Sequence, residues 1–268
     1  MNGMNETAKA RRGIQSIEVG GQLLNALVQS GMPMSLGELA RQSGMPASKA
    51  HPYLVSFCTL GLVQQDPLSG QYQLGPFALQ MGLVGLRQLS PVRLALPEIT
   101  RLAGDIEQTV ALAVWGTHGP TVIYIVESSR PIHINMHAGS VMSMLGTATG
   151  LVFSAFMPPK LVESMIAREL RDPAVLAQAG SAPPKKALEQ KLDEVRRHGM
   201  ARAQQAPIPG INALSAPVFD HTGSLKLAVT ATGPAGGFDT GYDGAIAQAL
   251  HACTLRLSQA LGYAGEPR

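Results

Sequence analysis

The pattern of apolar and polar positions near the start of the chain predicts two consecutive helices. Apolar side chains recur at helical spacing from Ile17 to Val28, and the pattern stops at Gly31. The stretch "LGELARQSG" predicts a short second helix, because Ser35 is a suitable N-cap and Glu38 completes a capping box with it. Gly44 and Pro46 then predict a tight turn.

A third helix and a hairpin follow this turn. "HPYLVSFCTLG" has the apolar spacing of a helix, and we take Ser48 as its N-cap, which makes Pro52 the fourth helical residue. Two short alternating segments surround residues 66–70, "DPLSG", a pattern typical of a β-hairpin. This order of elements describes a winged helix-turn-helix over residues 1–74.

Residues 75–90 predict a linker helix. Gly75-Pro76 opens it, since proline suits the first helical position. The apolar side chains from Phe77 to Leu86 cover more of its surface than a simple connection requires. We interpret this helix as packing against a partner subunit, and the alternative is a helix docked on its own domain.

From residue 91 to residue 268 the pattern changes to mixed helix and strand. Strands are expected at "VALAVWG", "TVIYIVES", "IHINMHA", "INALSAPVFD" and "SLKLAVTAT". Helices are expected at "LPEITRLAGDIEQT", "TATGLVFSAFM", "KLVESMIARELR" and "KALEQKLDEVRRHG", and a last helix from about Tyr242 to Leu261. The grouping predicts an α+β fold, whose C-terminal α/β domain contains a mainly antiparallel sheet.

Composition narrows the class of protein. The chain has 268 residues, of which 45% are apolar and 15% charged, as in a globular protein. It contains no apolar run of about 18 residues and no secretory leader pattern, so a cytoplasmic protein without a membrane span is expected. Cys58 and Cys253 are far apart in sequence, which argues against a disulfide framework. A net charge of +3 permits nucleic-acid binding without requiring it.

Motifs of catalysis are missing from the sequence. No G-x-S-x-G, Walker-type or H-E-x-x-H pattern occurs. His133 and His137 would share one face of a strand and could ligate a metal, but no carboxylate or cysteine nearby in sequence completes a site. We therefore expect neither an enzyme nor a bound cofactor.

Several motifs resemble the IclR family of transcriptional regulators over nearly the whole chain. They are "GIQSIEVGGQLLNAL", "SLGELARQSGMPASKAHPYL", "GQYQLG", "GTATG" and "GINALSAPVFDHTGSLKLAVTATGP". The resemblance implies a winged helix-turn-helix joined by a linker helix to an effector-binding domain. It also implies homodimers or homotetramers on pseudo-palindromic operator DNA near genes of small-acid or aromatic catabolism.

The DNA-contact candidates come from the helix-turn-helix pattern. The start of the second helix of such a motif enters the major groove, where lysine and histidine can donate to guanine or phosphate. A basic N-terminal arm suits phosphates or the minor groove. The candidates are Arg11, Arg12, Ser35, Ser48, Lys49, His51, Tyr53 and Gln71.

The effector-site candidates rest mainly on the resemblance. It assigns the effector a position over the sheet, beside Thr147, Ala148 and Thr149 at a strand-to-helix junction, where free backbone N–H groups can bind a carboxylate. The resemblance also assigns residues of the last strands to the effector site. The sequence itself offers apolar and histidine side chains that could line the pocket. These further candidates are Trp115, His133, Met142, Met144, Leu145, Ala203, Ile211, Ala213, Thr230 and Thr232.

One departure from the family concerns the effector. Ala203 stands where many members carry an acid, and a smaller, less anionic wall suits a bulkier or more anionic ligand. We therefore hypothesise an aromatic carboxylate rather than glyoxylate or pyruvate. The alternative function is a small-molecule sensor that acts through protein partners with impaired DNA binding.

Overall fold

A computed structural model describes residues 13–128, 136–171 and 185–265 of the chain. The chain divides into two compact units between Leu89 and Ser90. Among the described residues, no helix combines the length and the apolar character that crossing a membrane requires.

The N-terminal unit has the predicted order of elements. Its helices and strands are α1 (Gln15–Ser30), α2 (Leu36–Gln42), α3 (Ala47–Thr59), β1 (Val63–Gln65), β2 (Tyr72–Leu74) and α4 (Pro76–Gln88). The two strands pair antiparallel, with Gln64 opposite Gln73. Leu23, Leu39 and Leu54, one from each of the first three helices, are fully buried in its core.

The helix ends follow the local chemistry of the sequence, with one correction. The capping box of Ser35 and Glu38 is confirmed. The N-cap of α3 is Pro46 rather than Ser48, so Pro52 is the sixth helical residue and not the fourth. The missing N–H of Pro52 therefore removes the third i→i−4 bond of the helix, because the Ala50 N–H already binds the Pro46 carbonyl.

The C-terminal unit is a sheet between two layers of helices. Its elements are α5 (Pro91–Ile106), β3 (Thr109–Gly116), β4 (Gly119–Val126), α6 (Ala148–Phe156), α7 (Pro159–Glu169), α8 (Lys185–His198), β5 (Ala201–Gln204), β6 (Ile211–Phe219), β7 (Leu225–Pro234) and α9 (Ala245–Ala260). The strand order is β4-β3-β7-β6-β5, and every pair is antiparallel, as expected. Residues of α5 and α9 pack on one face and residues of α6 and α8 on the other.

Three expectations for this unit need correction. Strand β5 was not predicted, because its four residues contain two alanines and form a strand only by pairing with β6. The last helix begins at Ala245 rather than near Tyr242. Most of "IHINMHA" lies outside the described residues, and residues 136–138 are not in a strand, because the Ser140 hydroxyl binds the N–H and ring of His137 in a turn.

Candidate functional site

The first turns of α3 present an exposed polar surface. Ser48, Lys49 and His51 are all exposed there, while Ala50 and Leu54 face the core. Tyr53, which the sequence places on the same surface, is half-buried against α1, where Gly20 leaves room for its ring. The structure thus brings three of the α3 candidates together and turns the fourth toward the core.

The other DNA-contact candidates occupy different positions. The Ser35 hydroxyl is engaged in the capping box, where it lies 2.8 Å from the Glu38 carboxylate. Gln71 is half-buried at the end of the hairpin turn, and its carbonyl accepts the N–H of Asp66 at 2.8 Å. Arg11 and Arg12 lie outside the described residues. Among the described candidates, the exposed polar side chains are therefore those at the start of α3, the region that a helix-turn-helix directs toward base edges.

Small side chains form two rows across the sheet on the face beneath α6. In one row Ala203, Ala213, Thr232 and Thr109 are successive partners on β5, β6, β7 and β3. Side chains of directly opposed residues point to the same face, so these four residues form one continuous surface. Ile211 is on the same face, two residues before Ala213. Four sequence-predicted residues are thus neighbours, although they are spread over three strands.

The second row carries a chain of buried hydroxyl groups. Ala201, Ser215, Thr230 and Ala111 are successive partners in this row. The Thr230 hydroxyl donates to the Ser215 hydroxyl at 2.8 Å, and the Thr149 hydroxyl of α6 lies 2.8 Å from Thr230. A hydroxyl has one proton, so Thr149 must donate to Thr230. Sequence reasoning missed Ser215, whose role depends on a partner in another strand.

The N-terminus of α6 provides unpaired backbone donors. Thr147 is the N-cap, and its hydroxyl accepts the N–H of Gly150 at 3.0 Å and donates to the Ser143 carbonyl at 2.8 Å. Within the described residues, the N–H groups of Ala148 and Thr149 have no hydrogen-bond acceptor. The segment ahead of this helix is a turn and not the expected strand. Free N–H groups at a helix N-terminus favour an anion.

A carboxylate from α7 holds this turn in place. Glu169 accepts hydrogen bonds from the Ser143 hydroxyl and from the Met144 N–H, the latter at 2.7 Å. The Ser143 hydroxyl also accepts the N–H of Gly146 at 2.8 Å. A Cβ at Gly150 would overlap the Ser143 carbonyl oxygen, so the close approach of the turn to α6 requires glycine. The sequence contained no signal for Glu169, which is 26 positions from Ser143.

The apolar candidates lie in a separate packed cluster. Met144 and Leu145 are buried with Val162 of α7, and Trp115 packs against them. The Trp115 ring also contacts Phe153 of α6, with centroids 5.9 Å apart. Met142 is half-buried. His133 lies outside the described residues, and among those described no group of three metal-ligating side chains occurs.

The edge strand that carries Ala203 is fixed by contacts with the residues before α9. The Tyr242 hydroxyl donates to Glu194 at 3.1 Å, and its ring stacks on His198 with centroids 3.9 Å apart. Burial and the neighbouring Glu194 charge raise the pKa of Tyr242 to about 12. Arg202 of β5 lies over the same ring and binds Glu194 at 2.7 Å. These contacts fix the position of β5, which forms one edge of the row of small residues that begins at Ala203.

Comparisons with known proteins match both units. The family model described as "IclR helix-turn-helix domain" matches residues 16–67, and "Bacterial transcriptional regulator IclR C-terminal" matches residues 86–259. The glycerol operon regulatory protein of Streptomyces griseus is 30% identical to this chain in the matched region. That region covers 83% of this chain and 86% of the Streptomyces protein. The crystal structure of Pseudomonas aeruginosa HmgR is 36% identical with a TM-score of 0.85, covering 94% of this chain and all of that one.

A more distant structure was solved with a ligand. It is an IclR homologue from Microbacterium hydrocarbonoxydans complexed with 4-hydroxybenzoate, 17% identical with a TM-score of 0.54. The match covers 91% of this chain and 98% of that chain. At this identity the likeness shows a shared fold.

Proposed function

This chain belongs to the IclR family of bacterial transcriptional regulators, a family of DNA-binding proteins, and we propose that it controls catabolic genes in response to an aromatic carboxylate. The observation that carries the proposal is the pair of unpaired N–H groups of Ala148 and Thr149 at the buried start of α6. Such a helix terminus binds a carboxylate without a metal.

The adjoining sheet surface supports a planar ligand. The side chains in one row of the sheet are small and extend only a short way above it, namely those of Ala203, Ala213 and Thr232. Ile211 adds an apolar side chain at the edge of this row. Pockets for small molecules combine such apolar surface with a few convergent polar groups. We propose that the carboxylate binds at the α6 N-terminus and that the ring lies over the small-residue row.

The hydroxyl groups play a secondary part in this proposal. Thr149 donates to Thr230, and Thr230 donates to Ser215. Thr232 donates to the Asn212 carbonyl at 3.2 Å. Because these protons are already used within the protein, the backbone N–H groups are the donors left for the ligand.

Titration calorimetry tests the class of effector. We expect 4-hydroxybenzoate or benzoate to bind the purified protein, and the neutral 4-hydroxybenzamide to bind about tenfold or more weakly for lack of a charge-assisted bond. Binding of pyruvate but not of benzoates would refute the aromatic proposal.

A single substitution tests the position of the carboxylate. Ala148→Pro removes one of the two N–H groups at the first helical position, where proline is tolerated, and Thr147 has the extended backbone that a following proline requires. We expect the preference for 4-hydroxybenzoate over the amide to fall. Ala148→Gly keeps the N–H and serves as the matched control, and thermal unfolding checks that both variants fold.

The partners of the regulator are operator DNA and a second copy of the chain. Apolar side chains cover the exposed surface of α4, including Phe77, Leu79, Met81 and Leu83. Such a surface supports a homodimer or homotetramer over a helix docked on its own unit. A gel shift with the upstream intergenic DNA tests operator binding, and the absence of a retarded band at low salt would favour a sensor that acts through proteins. Light scattering measures the mass of the particle in solution and so distinguishes a monomer, a dimer and a tetramer.

A further inference from the structure

A second pocket lies in the C-terminal unit, at the end of β6 that is away from the proposed effector site. Strand β5 pairs with β6 only between Asn212 and Ser215, so residues 216–219 have none of the described strands beside them on that side. The last residue of α6 and one side of α9 border the gap that remains. The pocket has a volume of about 410 Å³, its open mouth included.

The uncovered edge of β6 is poorly suited to an additional strand. Pro217, which lines the pocket, has no N–H to donate to a ladder. The N–H of Phe219 already donates to the Ser258 hydroxyl at 3.0 Å, and this hydroxyl donates to the Thr254 carbonyl at 2.8 Å. Because a peptide that adds to a sheet is held by main-chain hydrogen bonds, the pocket suits a small molecule better than a peptide.

Three aromatic rings in contact form one wall of the pocket. The rings of Phe156 and Phe219 meet edge to face, with centroids 5.3 Å apart. The centroids of Phe219 and Tyr263 are also 5.3 Å apart. All three residues are half-buried, as is Leu255 of α9, which lines the same pocket. Half-buried rings leave apolar surface on which a further aromatic ring can pack.

Two side chains of the pocket have hydrogen-bonding groups that the protein does not use. The His251 ring and the Tyr263 hydroxyl have no hydrogen-bond partner among the described residues, whereas the hydroxyls of Thr254 and Ser258 donate to backbone carbonyls. An imidazole and a phenol can each donate or accept. Among the described residues that line the pocket, none is a carboxylate, a lysine or an arginine. A charged ligand would therefore lack a partner of fixed opposite charge here.

We propose that this pocket binds a neutral hydroxylated aromatic compound, of which phenol is the simplest. The ring packs against the aromatic wall, and the hydroxyl hydrogen-bonds to the free groups of His251 and Tyr263. An apolar lining with a few polar groups is the usual composition of a small-molecule site. The pocket adjoins Phe156 at the end of α6, so about 13 Å of helix separates it from the N–H groups at the start of α6. It is a second site, and binding to it requires neither the proposed effector nor DNA.

Fluorine NMR titration of the full chain with 4-fluorophenol tests this site. We expect the same dissociation constant with and without saturating 4-hydroxybenzoate. Fluorobenzene, which lacks the hydroxyl, should bind about tenfold more weakly because the two polar groups stay unpaired. Leu255→Trp fills the pocket and should weaken 4-fluorophenol binding about tenfold or more. Ala252→Trp places the same side chain on an exposed position of α9 and is the matched control.

Smaller substitutions test the hydrogen bonds even if the tryptophan variant does not fold. His251→Phe and Tyr263→Phe keep an aromatic ring and remove the polar group, so each should reduce the preference for 4-fluorophenol over fluorobenzene. Two results would overturn the proposal. One is an unchanged preference in both of these variants, and the other is displacement of 4-fluorophenol by 4-hydroxybenzoate, which would place both compounds in one site. Titration with 4-hydroxybenzoate alone tests the proposed effector, so the two failures are distinguishable.

Discussion

The hydroxyl oxygens of Thr149 in α6 and Thr230 in β7 lie 2.8 Å apart in the interior of the C-terminal unit. This bond ties the helix that carries the free N–H groups to the strand beneath it. Ser215 extends the chain to β6. The hydroxyls thus fix the distance of α6 from the sheet, and with it the position of the N–H groups to which we assign the effector carboxylate.

Breaking the hydroxyl chain should lower stability more than a single hydrogen bond would suggest. Thr230→Val removes the central hydroxyl and leaves Thr149 and Ser215 without a partner, at a cost of about 1–3 kcal/mol in the free energy of unfolding. Thr230→Ser keeps the hydroxyl and should cost less. A double-mutant cycle with Thr149→Val, measured by urea unfolding, should give a coupling energy above about 0.5 kcal/mol, and additivity would contradict the bond.

Two serines near the helix-turn-helix should respond differently to the same change. Ser35→Ala removes the N-cap of α2 and should lower the free energy of unfolding by about 1 kcal/mol. Ser48 lies inside α3, one residue past its start, so Ser48→Ala should change stability by less than about 0.5 kcal/mol. Chemical denaturation of both variants measures the difference. Equal losses in the free energy of unfolding would indicate that Ser48 is the N-cap of α3.

Removing the carboxylate of Glu169 should loosen the turn ahead of α6. Glu169→Ala leaves the Ser143 hydroxyl and the Met144 N–H without their acceptor. We expect faster hydrogen exchange at Met144 and affinity for 4-hydroxybenzoate about tenfold lower, because the helix start is less well positioned. Glu163→Ala alters an exposed residue of the same helix and should change neither quantity. Unchanged ligand affinity in Glu169→Ala would limit Glu169 to a structural role.

Replacing Pro52 separates a backbone effect from a charge effect. Pro52→Ala restores the N–H that can bind the Ser48 carbonyl, so it should stabilise the N-terminal unit. Pro52→Arg adds a cation on an exposed position of α3, and we expect tighter DNA binding with a salt slope steeper by about 0.9. Anisotropy titrations of both variants measure the slope. An arginine variant with the slope of the alanine variant would place residue 52 away from phosphate.

Asp220 should contribute to the loss of stability that the protein shows at acidic pH. Burial alone would raise its pKa, but hydrogen bonds from Thr222 and Lys226 outweigh burial and lower it from 3.8 to about 2. A lowered folded-state pKa stabilises the protein above the unfolded value, and this contribution of about 2 kcal/mol is lost as the pH falls from about 4 to 2. Denaturation at several pH values measures this effect. The free energy of unfolding of Asp220→Asn should fall less steeply with acidification than that of the unaltered protein, and an identical fall would contradict this assignment.

Most elements of the fold could be predicted from the sequence because their causes are local. The capping box of Ser35 and Glu38 spans three positions, and the hairpin turn at residues 66–70 is closed by its own aspartate. Such signals act between neighbours in the chain, so they can be recognised before any tertiary contact is known. The wrong prediction of Ser48 as the N-cap has the same origin, because Pro46, two residues earlier, is also a turn residue and its local pattern does not distinguish the two roles.

Tertiary structure alone decided which of the candidate residues meet. Thr149 and Thr230 are 81 positions apart, and β5 exists because Ala201 and Ala203 pair with β6. Register across a sheet and the approach of a helix to it depend on packing between distant segments, which leaves no periodic signal in either one. The sequence by itself therefore determined the helices, the turns and the family resemblance. The packing determined that hydroxyl groups hold α6 in place, while the first N–H groups of this helix have no acceptor among the described residues.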